Sequence, residues 1–300
     1  MMEELKGCLV CGAEDSLRKK FLLLTDHSLT GDRFSISKCD SCEALLTDPR
    51  PNPSEIGKYY DFPEYISHRD DAPGLINRIY QLARRWTTRQ KTALMNEVSD
   101  PSTGDRSILD YGCGTGYFLQ TAKEAGWRVE GVELNLQART AASERIGQEI
   151  ASEIDELPAA RSYKVITLWH VLEHVHTLSE TVEKLLDRLA ENGTMLVAVP
   201  NPLSLDAETY GEWWAAYDVP RHLYHFTPRS IALLAERHQA QVVRRIGQPL
   251  DSFYISLLSE KYKKGSQLRG WLRGLESCVS AWKSNNYSSI IYVIKKNKGS

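Results

Sequence analysis

From residue 105 onward the chain alternates short apolar runs with stretches of helical periodicity. The run Ile108-Leu109-Asp110 ends in an acid and passes through a glycine-rich turn into a helix-like segment over 118–125. A second strand-like run begins at Trp127 and ends at Glu133, and helical character returns over 137–146. A weak run at 148–151 precedes 164–169, which reads as a strand buried on both faces. The pattern then predicts a helix over 178–190, stopped by Asn192-Gly193, and a strand over 194–199 closed by Pro200. A helix over 229–238 opens with Thr227 as its cap and Pro228 in its first turn. Strand-like runs at 241–246 and 288–295 complete the series. Strands alternating with helices predict an α/β fold built on a mostly parallel sheet.

The first hundred residues read differently. Strand-like runs at 21–24 and 34–37 lie between two cysteine pairs, Cys8-x-x-Cys11 and Cys39-x-x-Cys42. Each spacing suits a turn that aims two thiolates at one metal, and two such turns complete a tetrahedral four-thiolate zinc site. With all four positions filled by protein, that zinc is structural. Three prolines within 48–53 mark a boundary, followed by an aromatic and polar stretch from Tyr59 to His68. Residues 74–98 read as a helix with Leu75, Ile79, Leu82 and Trp86 on one stripe. Arg78, Arg84, Arg85, Arg89 and Lys91 occupy its other faces, as on a solvated helix. The expected organisation is a zinc-ribbon-like knuckle over 1–50, a linker and helical segment covering the active site over 51–104, and the main domain over 105–300.

Composition narrows the function classes. A 300-residue chain with 42% hydrophobic and 25% charged residues is ordinary globular protein. Its formal net charge of −2 does not point to a nucleic-acid binder. No apolar run approaches the roughly 20 residues that span a bilayer, and the N-terminus lacks a signal-peptide core. A cytoplasmic protein with reduced cysteines is the expectation.

The chemistry concentrates at Asp110-Tyr111-Gly112-Cys113-Gly114-Thr115-Gly116 and at Glu133. Glycines let the backbone turn sharply and approach a ligand, and the following helix start offers unpaired N–H groups. An acid at the tip of the second strand can accept from both ribose hydroxyls. The glycine spacing is G-x-G-x-G, whereas a dinucleotide site has its third glycine one residue later, where Tyr117 stands. This set resembles motif I and the second-strand acid of class I S-adenosylmethionine-dependent methyltransferases. The resemblance covers roughly 105–297. It implies a Rossmann-like, seven-stranded, mostly parallel sheet with the cofactor at the carboxyl ends of its strands. It also implies that Asp110, Gly112, Cys113, Gly114, Gly116, Glu133 and Leu134 contact the cofactor, with Asp110 orienting the methionine amino group. Glu153, beside the third strand, becomes a candidate for the adenine.

After the run ending at Trp169 comes His170-Val-Leu-Glu173-His174. The stretch matches the inverted zinc-protease pattern, which needs both histidines one turn apart on a helix and a third ligand. Here His170 abuts a strand end and belongs to a loop. A closely similar Val-Leu-Glu-His stretch lines the cofactor pocket in the resembled family, which implies Trp169, His170 and Glu173 as cofactor contacts. The Asn/Asp-Pro-Pro-Tyr of methyltransferases acting on exocyclic base amines is not present.

Residues 213–228 are dense in aromatic and ionisable groups, and such loops past strand tips carry specificity. Arg221-His222-Leu-Tyr-His225-Phe-Thr-Pro resembles a signature of bacterial methyltransferases carrying the zinc knuckle, of the type 23 and sugar C-methyltransferase kind, and implies an active-site loop. Histidine suits a base near neutral pH, so His222 and then His225 are the candidates. Arg221 could hold an acidic or phosphorylated substrate with its forked donors; ordering of the loop by these groups is the alternative. Between the last two strands, 252–283 is longer than a hairpin link and predicts helices, basic at Lys261, Lys263, Lys264, Arg269 and Arg273, forming a lid or a homodimer contact. The expected activity is methyl transfer from S-adenosylmethionine to a small-molecule acceptor at oxygen, carbon or nitrogen, with no membrane partner. A zinc-ribbon RNA methyltransferase, a nicotinamide oxidoreductase and a non-catalytic binding module are the rivals.

Overall fold

The computed structural model describes residues 2–14, 16–60, 75–99 and 104–297, with backbone only for 75–85. Five strands come first: β1 (Met2–Glu3), β2 (Leu17–Thr25), β3 (Arg33–Cys39), β4 (Leu45–Thr47) and β5 (Arg50–Pro51). After the helix α1 (Leu75–Val98), the alternating series is β6 (Ser107–Tyr111), α2 (Tyr117–Glu124), β7 (Arg128–Val132), α3 (Leu136–Ile146), β8 (Tyr163–Trp169), α4 (Leu178–Asp187) and β9 (Leu189–Pro200). It continues with α5 (Leu205–Tyr210), β10 (Tyr224–His225), α6 (Pro228–Arg237), β11 (Ala240–Gly247), α7 (Pro249–Tyr262), α8 (Gln267–Ser284) and β12 (Ser289–Lys296).

The main sheet has six strands in the order β11-β12-β9-β8-β6-β7. β6 pairs in parallel with β7 on one side and β8 on the other, and β11 runs antiparallel to β12. This is the mostly parallel, Rossmann-like architecture that the alternation predicts. The third strand expected at 148–151 shrinks to one parallel bridge between Val132 and Ala151, with Glu133 N–H donating to the Ala151 carbonyl at 2.9 Å. The order reverses at β6, which places the ligand crevice of such a sheet at the carboxyl ends of β6 and β8.

The helix predicted over 178–190 ends at Asp187, and Asn192-Gly193 lies within β9 rather than at a helix stop. Leu189 is buried and belongs to the strand, so the chain turns into the sheet before the glycine is reached. None of the helices among the described residues is long and apolar enough to cross a membrane.

The chain forms two compact units. One comprises Phe62–Trp169 and Glu183–Leu196. In its core Ile108 and Leu109 of β6 pair with Val165 and Ile166 of β8, and these, with Leu168 and with Leu119 and Ala122 of α2, are nearly inaccessible. Burying each large aliphatic side chain is worth about 1.5–3 kcal/mol. The other comprises Met1–Asp61, His170–Val182 and Val197–Ser300. In it the small N-terminal sheet has the order β10-β4-β3-β2, so Tyr224 and His225 pair with Leu46 and Leu45. Leu24, Phe34, Ile36 and Leu45 share one hydrophobic cluster with Tyr210, Trp214, Tyr217 and Ile255. The cysteine-bearing sheet therefore has its apolar partners in the C-terminal half of the chain.

Candidate active site

At the tip of β6, Asp110 is buried and accepts from Thr167 Oγ1 at 2.6 Å. Thr167 is its register partner on β8. Burial pushes the Asp110 carboxyl up to about 7, and the charge of Glu133 adds to the shift. The turn that follows carries positive φ at Gly112 (74°), Gly114 (54°) and Gly116 (80°), conformations that L side chains rarely adopt. A Cβ on Gly116 would lie 3.1 Å from Ala142, whereas beside Gly114 there is open space. Cys113 is buried, its thiol pushed well up by desolvation, and its backbone N–H, like that of Gly112, is spent on the Val132 carbonyl.

Glu133 is the keystone of this turn. One carboxylate oxygen accepts from Gly114 N–H at 2.8 Å and the other from Asn135 N–H at 2.9 Å. A carboxylate has about four lone-pair sites, so two remain for ligand hydroxyls. The neighbouring Leu134 is 78% exposed. Glu153 is an exposed residue preceding the turn Ile154–Glu156. Trp169, at the end of β8, meets Phe118 edge-on at 5.4 Å and has the Lys91 ammonium 4.3 Å from its ring centroid. Its Nε1 donor is buried without a partner, a group that a ligand can satisfy. Lys91, on the basic helix α1, therefore has one aromatic contact on the sheet side, over Trp169. Neither it nor Thr167 stands out in the sequence; only the alternation that puts Thr167 and Trp169 on one face of β8 hints at the latter.

The chain passes from Trp169 to His170, whose φ of 58° turns it out of the strand. In the second unit, His170 lies 3.4 Å from a Glu173 carboxylate oxygen and 3.3 Å from Asp251 Oδ2. Burial disfavours its charged form, but these acids outweigh it and raise the imidazole to about 9. Glu173 and His174 lie on the short turn Leu172–His174, not on an α-helix. Neither Glu173 oxygen accepts a well-formed hydrogen bond. Desolvation would raise its carboxyl, yet the histidines around it hold it below the usual range.

His222 and His225 are both buried. His222 Nδ1 lies 2.8 Å from the Ala216 carbonyl, which only accepts, so Nδ1 carries the proton and Nε2 is left basic. His222 packs edge-on to His174 at 4.7 Å. Glu173, His174 and His222 each bring one ligating atom within 4.8 Å of the others. His174 Nδ1 faces the Arg221 carbonyl at 3.0 Å and the Tyr60 hydroxyl at 2.9 Å. Desolvation, aided by the charge of His222, lowers His174 to about 4 and His225 to about 3. His225 Nε2 is buried without a hydrogen-bond partner.

Arg221 is fully enclosed. It donates twice to Asp218 (3.0 and 2.6 Å), to Asp26 Oδ1 at 2.9 Å and to the Tyr59 carbonyl at 3.0 Å. These partners account for the geometry of the guanidinium from within the protein, which is the loop-ordering alternative. Asp26, 195 residues away in sequence, carries no signal of this in the sequence. Of the aromatic stretch Tyr59–His68, only Tyr59 and Tyr60 fall within the described residues.

The four cysteines of the N-terminal sheet converge. Cys8 Sγ lies 3.6 Å from Cys42 Sγ, and Cys11 Sγ 3.7 Å from Cys39 Sγ. All four sulfurs are within 4.8 Å of one another. Zinc–sulfur bonds of about 2.3 Å in a tetrahedron set sulfurs about 3.8 Å apart, so the set fits a four-thiolate metal. Each pair sits on a matching turn: Gly12 N–H bonds back to the Cys8 carbonyl and Glu43 N–H to that of Cys39, with positive φ at Gly12 and Glu43.

Comparison with known proteins bears on the family and the fold. A family model described as a methyltransferase domain matches residues 80–245. The ubiquinone biosynthesis O-methyltransferase of Rickettsia canadensis is 26% identical over 148 residues, 46% of this chain and 61% of that one. The Rickettsia bellii protein of the same name is 26% identical over 160 residues, covering 50% and 63%. The chain thus spans about six-tenths of the length of these curated relatives. Among solved structures, magnesium protoporphyrin IX methyltransferase from Synechocystis PCC 6803 with bound SAH superposes with a TM-score of 0.51 at 12% identity, over 80% of this chain and 97% of that one. That likeness speaks to fold. With more than half its length matched by the family model, the chain belongs to the methyltransferase-domain family of class I, S-adenosylmethionine-dependent enzymes.

Proposed function

We propose that the protein transfers the methyl group of S-adenosylmethionine to a small-molecule acceptor, with a structural zinc held by Cys8, Cys11, Cys39 and Cys42. The observation that carries the reading is the prebuilt cradle at the β6 tip: Glu133 tied to Gly114 and Asn135, three left-handed glycines, and the unpartnered Trp169 Nε1. When bound, the cofactor supplies a methyl group already activated by its sulfonium, so alignment provides much of the rate. Asp110 holds the amino group, the two open lone pairs of Glu133 take the ribose hydroxyls, and Trp169 Nε1 donates to a polar atom.

His222 is the base for an acceptor hydroxyl. Its Nδ1 proton is fixed on Ala216, its Nε2 is free to take a proton, and the ionised Glu173 stabilises the imidazolium that results. His225, lowered to about 3, holds a proton too weakly for this part and packs the loop against Tyr217. The names of the Rickettsia relatives favour an oxygen acceptor. The test is release of S-adenosylhomocysteine with a panel of phenols and sugar nucleotides. His222→Gln should keep cofactor affinity and lose about 10²–10⁴ in kcat. Full turnover in that variant would remove His222 from the mechanism.

A further inference from the structure

Helix α8 carries a feature that neither methyl transfer nor metal binding uses. Leu268, Trp271, Leu272, Leu275, Val279 and Trp282 are between 50% and 75% exposed. At 3.6 residues per turn they fall within roughly 100° of the helix wheel. A stripe of that width is what a helix turns toward a protein core. Here the core-facing side is a different one: Gly270, Gly274, Ser277 and Ala281 are buried. Gly270 and Gly274 let α8 approach α7 so closely that an added Cβ would lie 3.0 Å from Leu257 Cα and 2.8 Å from Phe253 Cα. The small residues make the helix contact and the large apolar residues are left facing out. Tyr254 and Leu250 of α7 are also exposed, at 67% and 44%.

Charge decides what covers this face. Exposed Arg269, Arg273 and Lys283 line one flank of the stripe, and exposed Lys261, Lys263 and Lys264 crowd the α7–α8 turn. The acid on the same flank, Glu276, is paired with Arg273 at 2.5 Å. Residues 261–283 carry six Lys or Arg against the single acid Glu276, in a chain whose net charge is −2, so this hairpin is locally basic. An antiparallel contact between two copies through this stripe would set the basic flank against itself. A surface that is apolar at its centre, anionic at its rim and receptive to indole rings matches better.

We propose that the α7–α8 hairpin is a peripheral membrane-docking surface that inserts the α8 stripe into the interface of an anionic lipid bilayer. Trp271 and Trp282 sit at the level of the headgroups, and the basic residues meet lipid phosphates. The proposal does not depend on the identity of the acceptor.

The test is flotation of the full chain with vesicles of phosphatidylcholine alone and of phosphatidylcholine mixed with phosphatidylglycerol, alongside analytical ultracentrifugation without lipid. Wild type should bind the anionic vesicles selectively, with a blue shift of tryptophan emission and weakening at high salt. Leu272→Glu, at an exposed position that leaves the fold intact by circular dichroism, should lower vesicle affinity by at least about tenfold. Equal binding to both vesicle types, or none to either at low salt, would overturn the proposal. So would a lipid-free dimer that Leu272→Glu converts to monomer, since the stripe would then be a self-association face.

Discussion

Replacing Arg221 by methionine removes a cation that is 1% exposed from between Asp26 and Asp218, whose side chains are 0% and 24% exposed. Breaking a buried ion pair by deleting one partner costs about 3–5 kcal/mol, because the remaining charge is left uncompensated. Two features place Arg221→Met near the lower end. Asp26 keeps hydrogen bonds from the backbone of Ser28, Leu29 and Thr30 and from the Thr30 hydroxyl, and Asp218 is partly open to water. The expected loss is therefore about 3 kcal/mol in urea unfolding. A cycle with Asp26→Asn should return a coupling of about 1–3 kcal/mol. The acid limb provides a second reading. Burial works against ionised Asp26 and Asp218, but Arg221 outweighs it and holds both below the usual carboxylate range. A lowered folded pKa gives stability that is present above the unfolded value of about 3.9 and is lost as pH falls through the folded one. Arg221→Met should flatten that dependence. A variant within about 0.5 kcal/mol of wild type, with a raised KM for the acceptor, would refute the reasoning and return Arg221 to substrate binding.

Three further outcomes follow from the same geometry. One zinc per chain is expected by elemental analysis, and its removal by a strong chelator should loosen 222–227. Thr47 bonds the His222 and Leu223 carbonyls and Thr227 the Cys42 carbonyl; at about 1 kcal/mol for each bond, amide exchange there should rise at least about tenfold. Asp110, raised to about 7 by burial, binds more protons folded than unfolded, so its contribution to stability falls as pH rises from about 4 to about 7. Cofactor binding near pH 6.5, which favours the ionised form, should release protons, detectable by calorimetry in buffers of different ionisation enthalpy and lost in Asp110→Asn.

The alternating core was legible in the sequence because its signals are local: apolar runs at 108–109 and 164–169, positive-φ glycines, and a cap at Thr227 whose side chain does accept from Ser230 N–H. The cysteine site was legible for the same reason, since each turn needs only a few residues. Missed were features that depend on contacts distant in sequence. The third strand at 148–151 has too little apolar surface to hold more than one bridge. Lys91 lies in a basic helix, and its contact with the ring of Trp169 joins residues 78 apart in the chain. The pairing of β10 with β4, and Asp26 beneath Arg221, join residues about 180 or more apart, for which no local pattern exists.

The central claim is that the turn from Asp110 to Gly116, held by Glu133, binds the methyl donor. Isothermal calorimetry of S-adenosylmethionine and S-adenosylhomocysteine, with NAD as the control ligand, tests it most directly. Wild type should bind both sulfur ligands in the micromolar range of about −8 kcal/mol. Glu133→Ala, which removes the ribose acceptors and the anchors of Gly114 and Asn135 together, should weaken binding at least about a hundredfold. Absence of binding in wild type, binding indifferent to Glu133, or preference for NAD would contradict the account.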